Sequence, residues 1–396
     1  MLLIDALNSN LDKLVRPKVH ILRRSWSAFQ VCGYLGLSLA FFLVMLLVLN
    51  GGLSPVVVSM ITLAAALTFF GLVMATRIIT GEEKIIYYHH EIAVMVVAAV
   101  LLWLLGQPIL PYLDLTILGI GIFLACGRVG CLMVGCCHGR PSRWGACYRA
   151  DHAAVGFSPY LVDVRLFPIQ AVESFWVLCI VIVGTTFVLR GYPAGTALAW
   201  YVVAYDLGRF WFEFLRGDPD RPYYRGFSQP QWISIILLFG IVWSELSGLL
   251  PFQAWHIGIT GFVSFTMLAV ALKRRLEKSN KYQLLHPRHI KEVAEAVELV
   301  SSRKTKRASV ARQSSVSESI HIACTSLGVQ VSASHVKNVA GDIYHYALSG
   351  RNGALTEEAA TAVAKLILQL KPASGSNELI RGDCSVFHLL IHSANR

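Results

Sequence analysis

Residues 28–49 read AFQVCGYLGLSLAFFLVMLLVL, a run without a single charged side chain. A helix needs about 20 mostly apolar residues to cross roughly 30 Å of hydrocarbon, so this run is long enough to span a bilayer. Working outward, comparable runs recur at 54–77, 91–108, 113–133, 169–189, 194–216, 231–249 and 255–272. The run at 113–133 ends in glycines and cysteines, so the count is seven to eight. Only 15% of the chain is charged and 55% is hydrophobic, against about a quarter charged in a typical soluble domain. The deficit is confined to residues 1–275. The pattern predicts an all-α, polytopic transmembrane helical bundle over residues 28–275. Basic residues precede the first run, but no small-residue cleavage site follows it, so it reads as a retained helix rather than a signal peptide.

Residues 1–27 read as an amphipathic, basic N-terminal lead-in. Beyond the bundle, 276–318 form a basic, Ser-rich linker. Residues 319–396 read as a small soluble tail, weakly folded and partly disordered, with one helix near 356–371 (TEEAATAVAKLILQLK). The tail carries no motif of known chemistry. The net charge of +11 comes largely from Lys and Arg beside helix ends (Arg23, Arg24, Lys273, Arg274, Arg275) and around 303–312. That placement suits the positive-inside rule and anionic lipid headgroups rather than nucleic acid. The nine cysteines sit mostly in or beside apolar runs, which argues against a disulfide framework.

Ionisable groups inside a membrane are costly and therefore mark function. The segment 201–216, YVVAYDLGRFWFEFLR, places Asp206, Arg209, Glu213 and Arg216 within a helical sector of roughly 80°. Arg209 and Glu213 stand at the i, i+4 spacing of an ion pair. A single structural lock needs fewer charges than this stripe carries. A second cluster, GRVGCLMVGCCHGRP at 127–141, combines Arg128 and Arg140, whose guanidinium forks suit phosphate, with Gly130, Gly135 and Gly139, which let a ligand approach the backbone. Within it, Cys131, Cys136, Cys137 and His138 invite a thiol-redox or metal reading; buried structural cysteines are the plainer alternative. Gln170 and Glu173 share a face in FPIQAVES (167–174), where the carboxylate can hold a guanidinium in place. In YYHHEIAVM (87–95), His89 and His90 lie at a membrane boundary and offer a general base. A polar loop at 138–167 separates two of these clusters and reads as an arm at headgroup level.

Taken in order, these clusters resemble the prolipoprotein diacylglyceryl transferase family. That family has a boundary His, a Gly-Arg-x-Gly signature, a Pro-x-Gln-x-x-Glu element, an Arg-x-x-x-Glu-Phe-x-Arg-x-x-Asp helix end and a Gln before its last helix. The matching positions are His89 or His90; Gly127, Arg128 and Gly130; Gly135, Gly139 and Arg140; Pro168, Gln170 and Glu173; Arg209, Glu213, Phe214, Arg216, Pro219 and Asp220; and Gln231. The resemblance spans roughly 28–250. Cys131, Val134 and Cys136 stand where the family usually has Asn, Asn and Glu, and Phe167 where it has His. The last helix and the tail are additions.

The resemblance implies transfer of a diacylglyceryl group from phosphatidylglycerol or a related phospholipid to the cysteine thiol of a prolipoprotein, in a bacterial plasma (inner) membrane. His89 or His90 would take the thiol proton. Arg128 and Arg209 would stabilise the leaving phosphate, with Glu213, Glu173 and Gln170 orienting them. Arg140, Arg216, Gln170, Glu173, Gln231 and the three glycines would bind substrate, with no metal and no organic cofactor. Two other readings stay open from the residues: a phospholipid-binding protein without transferase activity, and a membrane thiol-redox or metal protein built on Cys131, Cys136, Cys137 and His138.

Overall fold

The computed structural model describes residues 2–21, 24–81, 87–276, 281–301, 321–338, 341–351, 353, 355–371 and 375–393. Residues 277–280 and 302–318 of the expected linker lie outside them. An amphipathic helix α1 (Leu2–Leu14) and a hairpin β1 (Lys18–Ile21) and β2 (Arg24–Ser27) lead into the helices. These are α2 (Ala28–Gly51), α3 (Pro55–Thr80), α4 (Tyr87–Leu104) and α5 (Ile109–Val134). After α5 comes a folded excursion of β3 (Pro141–Cys147), the short turn α6 (Ala150–Ala153) and β4 (Arg165–Leu166). The bundle resumes with α7 (Ile169–Leu189) and α8 (Thr196–Leu215), a small hairpin β5 (Tyr223–Tyr224) and β6 (Phe227–Ser228), then α9 (Gln229–Leu246) and α10 (Ala254–Leu276).

Each of the eight expected runs forms a helix. Five of them, α2, α3, α5, α7 and α10, are long and apolar enough to cross a membrane, and the chain is a multi-pass membrane protein. Helix α8 falls outside that group because it carries Asp206, Arg209 and Glu213. Helix α4 begins at Tyr87, earlier than the apolar run suggested, which puts His89 and His90 in its first turn. The run that ended in glycines became α5, the hub of the bundle, packed against α2, α4, α7 and α8. In its apolar window 56% of the residues are buried, against 17% in α3.

Small residues set how closely the hub's neighbours approach, as expected where lipid supplies no hydrophobic drive between helices. A Cβ on Gly208 would lie 2.3 Å from Trp176 Nε1, so α7 and α8 pack at a distance only glycine permits. The same Trp176 donates to the Ala204 carbonyl at 3.0 Å. Ser174 donates to the Ala125 carbonyl at 2.9 Å and ties α7 to α5. Asp114, buried on α5, accepts from Gly195 N and Leu198 N at 2.7 Å each, satisfying orphan amides at the N-terminus of α8. These contacts fix α5, α7 and α8 as a rigid trio.

The polar loop expected at 138–167 is folded against the lead-in helix. Asn8 accepts from Gly145 N and donates to the Arg143 carbonyl. Arg165 grips Asp12 through both guanidinium nitrogens at 2.8 and 3.0 Å. Cβ space explains Gly145: it sits at φ 146°, where an added carbon would meet the Leu166 carbonyl.

The tail departs from the expectation of weak folding. The chain continues through α11 (Lys281–Leu284) and α12 (Pro287–Ser301) into β7 (Ile322–Cys324), β8 (Val329–Asn338) and β9 (Gly341–Gly350). Helix α13 (Glu357–Leu370) and strands β10 (Asn377–Arg381) and β11 (Phe387–Ser393) complete an antiparallel sheet in the order β10-β11-β9-β8-β7. Val331, Leu348 and Phe387 form one row across three strands. They share a core with Val293 and Val297 of α12 and with Val363 and Ile367 of α13. Burial alternates along the strands (Val329, Val331; Tyr346, Leu348; Phe387, Leu389, Ile391), the period of two that a half-buried sheet requires. The core is continuous with Tyr148, Phe157 and Leu161 of the 138–167 excursion.

Candidate functional site

The trio α5, α7 and α8 brings three arginines onto one carboxylate. Glu173, in the second turn of α7, pairs with Arg128 Nη2 at 3.0 Å and Arg209 Nη1 at 3.4 Å, and Arg216 Nη1 stands 4.0 Å away. Tyr205 donates its hydroxyl to Glu173 Oε1 at 3.1 Å. The i, i+4 pair forms: Arg209 Nη2 lies 2.8 Å from Glu213 Oε1. Beyond the helix end, Arg216 binds both oxygens of Asp218 (3.0 and 3.2 Å), and Arg221 bridges Asp218 and Glu213. Arg128, Glu173, Arg209, Glu213 and Arg216 are all buried.

Four guanidiniums thus meet three carboxylates in one ion-paired network. Arg140 adds a cation at the rim, where it donates to the carbonyls of Arg216 and Leu285. Among the described residues, the buried Nε–H groups of Arg128 and Arg209 have no hydrogen-bond partner. Buried donors are nearly always satisfied, so an excess of positive charge with two idle donors is chemistry that suits an anion. Asp218, outside the bundle, opposes its own burial but is held below the ordinary carboxylate range by Arg216 and Arg221.

The backbone of the 135–140 turn is pinned into this assembly. Gly135 terminates α5 in the left-handed region (φ 86°). Gly139 N donates to the Phe167 carbonyl, Arg140 N to the Leu215 carbonyl and Gly217 N to the His138 carbonyl. A Cβ on Gly139 would stand 2.4 Å from the Phe167 carbonyl oxygen. Gly130 packs against Phe29 and Cys32 of α2. The three glycines therefore serve close backbone packing around the site.

Other expected residues are placed differently. Gln170 is buried and directs Nε2 to the Cys136 carbonyl at 2.8 Å, fixing the turn rather than an arginine. Gln231 caps α9 by accepting from Ser228 N and donates to the Phe210 carbonyl. His90 is buried with its ring 4.8 Å from that of Phe69, whereas His89 is exposed and makes no hydrogen bond or ion pair with the network. Their neighbour Tyr88 does reach α8: its hydroxyl donates to Asp206 at 2.6 Å and contacts Ser234 at 2.9 Å. Asp206 of the polar stripe is thus held by hydroxyls and stands apart from the ion pairs.

The cysteines divide. Cys131, Cys136 and Cys137 bring their sulfurs within 4.8 Å of one another. His138 does not join them: its Nδ1 lies 2.8 Å from the Gly139 carbonyl and its ring packs on Phe157. Burial pushes its pKa down from the ordinary imidazole value. All the cysteines with described side chains are free thiols.

Sequence reasoning missed Tyr205, Asp218 and Arg221. Tyr205 precedes Arg209 by one helical turn and so lies on the charged face. Asp218 and Arg221 belong to RGDPDR (216–221), directly after the stripe. Both signals were present in the spacing.

A family model described as prolipoprotein diacylglyceryl transferase matches residues 25–246. The chain is similar to phosphatidylglycerol–prolipoprotein diacylglyceryl transferase 2 of Clostridium perfringens (strain 13 / Type A), 32% identical over 138 residues, covering 33% of this chain and 50% of that protein. The corresponding transferase of Clostridium tetani (strain Massachusetts / E88) is 29% identical over 134 residues, 34% of this chain and 52% of its own. That of Dehalococcoides mccartyi (strain CBDB1) is 32% identical over 126 residues, 32% and 46%. The chain spans about half the length of the curated relatives it matches. The family match covers more than half of the chain and takes in Arg128, Glu173, Arg209, Glu213 and Arg216; the chain belongs to the prolipoprotein diacylglyceryl transferase family.

Proposed function

We propose that the protein is a diacylglyceryl transferase of the bacterial plasma (inner) membrane, moving the diacylglyceryl group of phosphatidylglycerol to a cysteine thiol of a prolipoprotein. The buried arginine network around Glu173 carries the reading. In the reaction the acceptor sulfur attacks the glyceryl carbon that bears the phosphate. A C–S bond forms, the C–O bond breaks, and its electron pair leaves on glycerol phosphate. The thiol proton goes to a base, for which His89 and His90 are the candidates.

Charge develops on the phosphate oxygen as it leaves, so preorganised cations in a dry site lower the barrier. Arg128 and Arg209 fill this role through their idle Nε–H groups. Glu173 and Glu213 hold both guanidiniums in place so that no reorganisation is needed when the phosphate arrives. Arg140 at the rim and Arg216 within the buried network meet the headgroup. No metal or organic cofactor enters this chemistry.

A second reading, a headgroup cradle that binds phospholipid without transfer, draws on Cys131, Val134 and Cys136, which replace polar groups the family usually has there. One assay separates the two. Purified protein in detergent receives phosphatidylglycerol and a peptide bearing an acceptor cysteine, and mass spectrometry follows the peptide. A diacylglyceryl adduct with matching glycerol phosphate, lost in Arg209→Ala, supports the transferase. Phosphatidylglycerol binding without any adduct supports the cradle.

A further inference from the structure

We infer that Cys131, Cys136 and Cys137 form a three-thiolate site for one zinc-class cation, set beside the arginine network. The geometry begins with the end of α5. Gly135 turns the chain through φ 86° and Cys137 follows at φ 54°, folding the segment back so that Cys136 and Cys137 return to Cys131 in the helix's last turn. The result is three sulfurs within 4.8 Å of one another. Two thiolates on one zinc lie about 3.8 Å apart, from Zn–S bonds of about 2.3 Å at a tetrahedral angle. Convergence on one ion therefore takes shifts of about an ångström, within the reach of χ1 rotation.

The surrounding contacts hold the turn in that shape without using the sulfurs. Gln170 donates to the Cys136 carbonyl, Gly135 N donates to the Cys131 carbonyl, and Gly139 N and Arg140 N are tied to Phe167 and Leu215. The three sulfurs hydrogen-bond to one another, contacts that a bound cation would replace. Three thiolates around a dication carry one net negative charge, and Arg128 and Arg216 lie close enough to act on Cys137 electrostatically. The donor set is soft, which selects zinc and its thiophilic relatives over magnesium or calcium. His138, turned to Gly139 and Phe157, is not a ligand. Three protein ligands leave the fourth tetrahedral position to an exogenous ligand. Two of the three cysteines stand where the family usually has Asn and Glu, so the departure from the family pattern coincides with the donor set.

The test uses the purified full chain under reducing conditions, titrated with cobalt(II) and then zinc. The expected result is one equivalent of cobalt with near-ultraviolet thiolate-to-cobalt absorption and tetrahedral visible bands, both displaced by zinc. Cys136→Ser should weaken binding beyond the roughly 10–100-fold that loss of a supporting group costs. Cys179→Ser, on α7, should leave the spectrum unchanged. Should Cys136→Ser misfold, the wild-type stoichiometry and spectrum decide alone. Absence of the thiolate band while all three thiols react with a thiol reagent would overturn the proposal. So would a disulfide among the three in protein purified without oxidant. None of these readouts depends on transferase activity, so the site stands or falls separately from the transfer reaction.

Discussion

Replacing Glu173 by Gln keeps the shape of the side chain and removes the negative charge on which three guanidiniums converge. The network limits the damage unevenly. Arg209 retains Glu213 at 2.8 Å and Arg216 retains Asp218 at 3.0 Å, but the ion pair of Arg128 is with Glu173. The variant therefore buries one uncompensated guanidinium. Removing one partner of a buried pair costs about 3–5 kcal/mol, which corresponds to a fall of roughly 6–20 °C in the unfolding midpoint at about 2–4 °C per kcal/mol. An anionic lipid headgroup replaces part of the missing charge. The assay is thermal unfolding of purified protein in detergent supplemented with either phosphatidylglycerol or zwitterionic phosphatidylcholine. The midpoint should drop in both, and the gap between the two lipids should widen relative to wild type. Transfer should slow by about 10²–10³, the loss expected when a preorganised charge constellation is disturbed. A Glu173→Gln protein with wild-type midpoint, lipid gap and transfer rate would refute the reasoning.

Further outcomes follow from the same contacts. Arg209→Lys keeps the charge but cannot engage Glu173, Glu213 and a phosphate together; binding of phosphatidylglycerol should persist while transfer falls at least tenfold, by about 1.4 kcal/mol or more in barrier. Gly208→Ala puts a carbon against Trp176 Nε1 and should destabilise the bundle by about 1–3 kcal/mol, read as a lowered midpoint in detergent. His286, packed on Tyr223 and facing Arg288, Arg140, Arg221 and Arg274, is lowered to about 4 by burial first and by these charges second. The unfolded chain thus binds this proton first. The contribution is unaffected above pH about 6.5 and stability falls as pH drops from there toward 4. His286→Phe should flatten that limb of the midpoint-against-pH curve.

The bundle was legible because the bilayer imposes a length and a composition that few other structures satisfy, and each of the eight runs became a helix. The charged stripe on α8 was legible for the same reason: Asp206, Arg209, Glu213 and Arg216 are too costly in an apolar helix to be incidental. Partners across helices were not. Helical spacing could pair Arg209 with Glu213, but only the close packing at Gly208 and the Ser174–Ala125 bond reveal that Glu173 lies under Arg128 and Arg209. Gln170 and Gln231 went to backbone carbonyls because a turn and a helix end stood nearer than the arginines. The tail was misread for a different reason. Its strands carry Gln330, Ser332, Ser334, His345, Ser349 and His388 on the open face, so mean polarity masked the alternation of Val329, Val331, Tyr346, Leu348, Phe387, Leu389 and Ile391. His138 looked like a partner for the cysteines by adjacency, yet its Nδ1 lies against the Gly139 carbonyl and its ring against Phe157.

The most direct test of the central claim is an experimental structure of the protein with a non-transferable phosphatidylglycerol analogue. Phosphate density within hydrogen-bond reach of Arg128 Nε and Arg209 Nε, with Glu173 still between the two guanidiniums, is the expected result. A headgroup seated elsewhere, with Arg128 and Arg209 closed on Glu173 and no phosphate between them, would contradict the claim that this network is the reaction site.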